Sequence, residues 1–94
     1  LTVIGNVGNG FGQLMRSGKL TLVGNAKWGV GYGMKGGEIV IKGNCGQGVG
    51  DRMDGKTAII RIHGAYESLG RPIVGEIYKG AEKVWPITYG RKPR

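Results

Sequence analysis

Two stretches of this chain carry the lettering of nucleotide chemistry. Gly50-Asp51-Arg52-Met53-Asp54-Gly55-Lys56-Thr57 satisfies the phosphate-loop pattern, in which backbone N–H groups entering a helix cradle phosphate and a lysine reaches it. Gly31-Tyr32-Gly33-Met34-Lys35-Gly36 has the spaced glycines of a dinucleotide fingerprint. Both chemistries need a helix opening directly behind the loop. Behind the first lies Ala58-Ile59-Ile60-Arg61-Ile62, a strand pattern, and the second opens no helical periodicity. Each is therefore read as a coincidence of a glycine-rich chain. The single Cys and single His make neither a disulfide nor a four-ligand zinc site. Cys45 reads as a small buried thiol, His63 as a surface residue, and Met15, Met34 and Met53 as core filling. Asp51 and Asp54 flank Arg52 and read as a local ion pair. No catalytic, cofactor-binding or metal-binding constellation is expected from these residues.

The elements that must position these side chains come from an internal repeat. Gly5-Asn6, Gly24-Asn25 and Gly43-Asn44 recur with a 19-residue period, as do Met15, Met34 and Met53. Gly10, Gly29 and Gly48 keep the same period, and so do Gly12, Gly31 and Gly50. A fourth, degenerate copy follows at Gly64, at an offset of 21 from Gly43. Ahead of Gly5, Gly24, Gly43 and Gly64, Leu1, Leu20, Ile39 and Ile60 alternate with Val3, Leu22, Ile41 and Ile62 across a mixed set of side chains. Period-two alternation makes a strand with one apolar face. A short strand, a Gly-Asn corner and a glycine-rich bend in each 19-residue unit describe one coil of a parallel β-helix.

The expectation is an all-β fold, a single-stranded right-handed parallel β-helix over residues 1–80 in about four coils, followed by a basic, non-repetitive tail over 81–94. Val7, Ala26 and Cys45 form one interior row, and Phe11, Val30 and Val49 another. Asn6, Asn25 and Asn44 are expected to stack as an amide ladder at the corners. Gly75 to Lys79 supplies a closing strand, and Trp85 caps the lower end of the core.

Composition agrees with that reading. Twenty-one glycines in 94 residues exclude a helical bundle, because each interior glycine costs a helix about 1 kcal/mol. No apolar run is long enough to span a bilayer and the opening residues lack a basic leader, so a cytoplasmic location and no membrane insertion are expected. The chain has 14 Lys and Arg against 6 Asp and Glu, a formal net charge of +8. That charge is spread along the chain apart from Arg91-Lys92-Pro93-Arg94, and it suits solubility or an acidic partner better than nucleic acid. Leu1 falls directly inside a strand with no capping segment. That points to a piece of a longer chain, or to a subunit whose open end docks on a partner.

Gly5-Asn6-Val7-Gly8-Asn9-Gly10-Phe11-Gly12 and Gly43-Asn44-Cys45-Gly46-Gln47-Gly48-Val49-Gly50 resemble the GxGxG signature of a family of right-handed β-helices. So does the link from Met34 to Asn44. That family includes the separate β-helical subunit of formylmethanofuran dehydrogenase, the C-terminal domain of glutamate synthase large subunits, and a chain of a bacterial formyltransferase/hydrolase complex. The resemblance covers about residues 1–64. It implies a non-catalytic, architectural element of an oxidoreductase complex. Its partners would be protein subunits carrying iron–sulfur clusters, molybdopterin with molybdenum or tungsten, zinc or FMN, with no small-molecule substrate on this chain. It also implies that Gly8, Gly10, Gly12, Gly29, Gly31, Gly46, Gly48 and Gly50 are corner formers. Lys27 departs from the pattern by replacing the first glycine of the second motif. The favoured expectation is a scaffold of the formylmethanofuran dehydrogenase kind, in methanogenic CO2 reduction, with glutamate synthase second. A basic module for nucleic acid or anionic surfaces and a small nucleotide-binding enzyme using Lys56 are the rivals from other classes.

Overall fold

The computed structural model describes residues 1–86. The chain forms β1 (Thr2–Ile4), β2 (Lys19–Val23), β3 (Glu38–Ile41), β4 (Asp54–Ile62), β5 (Val74–Lys79) and β6 (Glu82–Trp85), with no helix among the described residues. All six lie in one sheet in chain order. The first five pair in parallel, and β6 folds back antiparallel on β5. Parallel neighbours in chain order require each strand to be followed by a full circuit. The glycine-rich bends supply that circuit, and the result is a β-solenoid of about four turns. Among the described residues no helix is long and apolar enough to cross a membrane.

Register follows the repeat. Val3, Leu22, Ile41 and Ile62 lie directly over one another, as do Leu20, Ile39, Ile60 and Ile77. Like therefore stacks on like. From Leu22 onward these two rows are fully buried, with Leu22, Ile39, Ile41, Ile60, Ile62 and Ile77 all at 0% exposure. On the opposite wall Ala26, Val30, Met34, Cys45, Val49 and Met53 close the core, so the methionine row is core filling. No polar or charged side chain among the described residues is buried. Burial stabilises by about 1.5–3 kcal/mol for each large side chain, and the interior rows are where that free energy comes from.

The repeat is not uniform. Leu20 faces Ile39, an offset of 19, whereas Ile39 faces Ile60, an offset of 21. The added length bulges out between Asp54 and Ile59, where the register with β5 also shifts. Lys56 and Thr57 ride on that bulge in solvent. Part of the segment read as a non-repetitive tail is also structured. β6 covers the last parallel strand, and Val84 and Trp85 pack half-buried against the core. The run Arg91 to Arg94 lies outside the described residues.

Candidate functional site

The corners are where glycine and asparagine concentrate. Gly10, Gly12, Gly29, Gly31, Gly48 and Gly50 take φ between 72° and 79°. Gly31 illustrates why: at φ +72°, an added Cβ would also lie 2.5 Å from Ile60 Cδ1 in the core. Gly8 and Gly46 do not share this left-handed conformation. Lys27 occupies their position in the second coil without strain for that reason, and the departure from the motif is conformationally neutral. Conversely, Leu14 and Arg52 both adopt φ 60° at the place where the middle coil has Gly33, at φ 65°.

Asn6, Asn25 and Asn44 form a ladder, but the rungs run from side chain to backbone. Asn6 Oδ1 accepts from Asn25 N at 3.0 Å, Asn25 Oδ1 from Asn44 N at 2.8 Å, and Asn44 Oδ1 from Ala65 N at 2.8 Å. Asn9 Oδ1 repeats the device by accepting from Trp28 N at 3.1 Å. Each oxygen meets an N–H of the next coil, so the ladder ties coil to coil, at about 1 kcal/mol per bond.

The two nucleotide-like stretches are occupied in the same way. In the phosphate-loop pattern, Gly50 N donates to Val30 O, Asp51 N to Gly48 O, Arg52 N to Arg71 O, Met53 N to Gly50 O and Asp54 N to Met34 O. In the dinucleotide pattern, every N–H from Gly31 to Gly36 donates to a backbone carbonyl, at 2.7–3.2 Å. A phosphate cradle needs convergent N–H groups that have no protein acceptor. Here Gly31, Gly33, Lys35, Gly36, Gly50, Arg52 and Asp54 donate to neighbouring coils, Tyr32, Met34, Asp51 and Met53 close the local turn, and β4 follows where a helix would have to begin.

The remaining reactive side chains are dispersed. Cys45 is buried at 5% exposure. Desolvation pushes its thiol up to about 12, so it is protonated and unreactive at neutral pH. His63 is exposed at the outer end of β4. The local ion pair expected between Arg52 and its flanking aspartates does not form. Asp54 pairs with Lys35 at 3.8 Å, and Asp51 Oδ1 accepts from Arg71 N at 2.9 Å. In a solenoid the nearest side chains are one coil away along the axis, and both aspartates find their partners there. The same axial logic builds an outer ladder that the local sequence pattern does not show. Glu38 Oε2 accepts from Arg61 Nε at 2.9 Å, and the Arg61 guanidinium lies 4.7 Å over the Tyr78 ring. Tyr78 and Lys83 both donate to Glu76, which holds its carboxyl below the usual value. No group of three or more metal-ligating side chains occurs among the described residues.

One concavity among the described residues, of about 410 Å³, is lined by Asp51, Arg52, Arg71 and Ile73. Another, an open groove of about 530 Å³, has Asn25, Asn44, Trp28 and Gly46 in its lining. The repeat hides it, because it depends on what differs between coils: a tryptophan where the neighbouring coils have Asn9 and Gln47, beside a position that is glycine in two coils. Compared with known proteins, the chain matches no family model, no curated protein and no solved structure.

Proposed function

We propose that this chain is a structural β-solenoid that holds other protein subunits in a larger assembly and contributes no catalytic group of its own. The observation that carries the reading is the occupancy of the corners. The backbone donors of Gly31–Gly36 and Gly50–Asp54 and the asparagine oxygens are engaged within the fold, between coils or inside a corner turn. The interior rows support the same reading: Leu22, Ile39, Ile41, Ile60, Ile62 and Ile77 are fully buried and no polar or charged side chain among the described residues is, so the inside of the coils is given over to packing. The GxGxG resemblance supports an oxidoreductase complex, with formylmethanofuran dehydrogenase first and glutamate synthase second. The partner subunits would then carry the iron–sulfur, molybdopterin or flavin chemistry.

The test is isolation of the chain in its native assembly, with co-purifying subunits and metals identified by mass spectrometry. Tungsten or molybdenum with iron–sulfur subunits supports the first assignment. A flavin-bearing synthase chain or a glutaminase supports the second. A chain that purifies alone and sediments as a monomer overturns the scaffold reading.

A further inference from the structure

We propose that the groove beside Trp28 is a binding site for a neutral saccharide. Trp28 is 44% exposed despite its size, yet it is held in place. Gly48 has no side chain, and a Cβ there would lie 2.9 Å from Nε1, 3.3 Å from Cδ1 and 3.4 Å from Cε2 of the indole. Three similar distances set the five-membered ring face-on over the Gly48 backbone. Tyr32 supports it from the side, ring centroids 5.6 Å apart and tilted by 37°. The result is a fixed apolar plate, with little side-chain freedom left to lose when a ligand settles on it.

The groove also carries amides of defined orientation. Asn25 and Asn44 line it, and their oxygens each accept a backbone N–H. That fixes which end of each amide is which, so the NH2 groups are the ends without a protein acceptor among the described residues. Gln47 adds a further amide. Lys27 and Glu67 stand at the groove with opposite charges, so the site carries no local excess despite the +8 of the whole chain. A phosphate backbone or an acidic polymer would call for a cluster of cations here. A flat C–H-rich face for the indole, with hydroxyls that accept from amides and ammonium and donate to a carboxylate, describes a pyranose ring.

The experiment titrates the folded chain with neutral hexasaccharides (cellohexaose, laminarihexaose, mannohexaose) and, in a separate arm, with a short oligothymidylate. Calorimetry and the Trp28 indole N–H resonance are the readouts. The expected result is binding of at least one hexasaccharide with a shift of that resonance. The Trp28→Ala variant should bind at least about tenfold more weakly, which corresponds to about 1.4 kcal/mol. Asn44→Asp keeps the oxygen that accepts from Ala65 N but removes the NH2 donor. It should weaken binding while leaving thermal unfolding in place. Absence of binding by all three saccharides overturns the proposal, as does undiminished binding by Trp28→Ala. Oligothymidylate binding in place of saccharide binding also overturns it and makes the groove a nucleic-acid contact.

Discussion

Substituting alanine at two glycines of the corner motif separates backbone geometry from mere glycine content. Gly31 sits at φ +72° with Ile60 Cδ1 2.5 Å from the place its Cβ would occupy. A left-handed residue with a Cβ costs roughly 1–2 kcal/mol, and overpacking a filled core adds about 1–3 kcal/mol. Alanine also restricts the unfolded chain, which returns about 0.4–1 kcal/mol. The net for Gly31→Ala is a loss of about 1–4.5 kcal/mol, a large share of the ~5–15 kcal/mol that holds a domain folded. At about 4–8 °C per kcal/mol for a domain of this size, Tm should fall by roughly 4–35 °C. Gly8 is outside the positive-φ set and an added Cβ there meets nothing within 4 Å. Gly8→Ala should therefore leave Tm unchanged or raise it slightly. Thermal unfolding followed by circular dichroism reads both variants. Equal losses at the two positions, or a loss at Gly31 below about 0.5 kcal/mol, would mean that corner geometry is not what the glycines supply.

Three further outcomes follow from single residues. Arg52→Gly relieves a side chain held at φ 60°, where the preceding coil already has Gly33 at φ 65°; the variant should gain up to about 1 kcal/mol, seen as a higher Tm. The Cys45 thiol should resist alkylation in the folded chain at pH 8 and react fully in denaturant, since burial raises its pKa to about 12 from 9.0. The same shift sets a pH dependence. Above pH 9 the unfolded thiol ionises while the folded one stays protonated, so its contribution is intact below pH 9 and declines by about 1.4 kcal/mol per pH unit toward pH 12. Cys45→Ala, which matches Ala26 in the preceding coil, should show a correspondingly shallower alkaline loss of stability in denaturant titrations.

Much of the architecture is legible in the chain because a solenoid writes its period into the sequence. The 19-residue spacing of the Gly-Asn pairs and methionines announces the coils, and strand alternation assigns Leu22, Ile41 and Ile62 to the interior. What stays hidden depends on axial neighbours. Lys35 pairs with Asp54, and Arg61 with Glu38, each about one coil away along the chain, whereas a local reading couples Arg52 to the aspartates beside it. The bulge in β4 shows in the sequence only as a change of offset from 19 to 21. Leu14 and Arg52 adopt left-handed backbone with no glycine to signal it, whereas Gly8 and Gly46 are glycines that do not need it. The groove escapes notice because Trp28 breaks the repeat at a position where the neighbouring coils carry the amides Asn9 and Gln47, and periodicity finds only what recurs. β6 lies beyond the repeat and pairs antiparallel, so the coil pattern carries no trace of it.

Whether the corners serve the fold or a ligand is decided by residue-by-residue amide hydrogen exchange, with and without Mg·ATP. Gly31, Gly33, Gly50, Met53 and Asp54 all donate to carbonyls at 2.7–2.9 Å. These amides should be protected in the free chain, and nucleotide should change neither their exchange nor their resonances. Rapid exchange of the Gly50–Thr57 amides that slows on adding Mg·ATP would overturn the structural reading of the corners and make Lys56 part of a phosphate site.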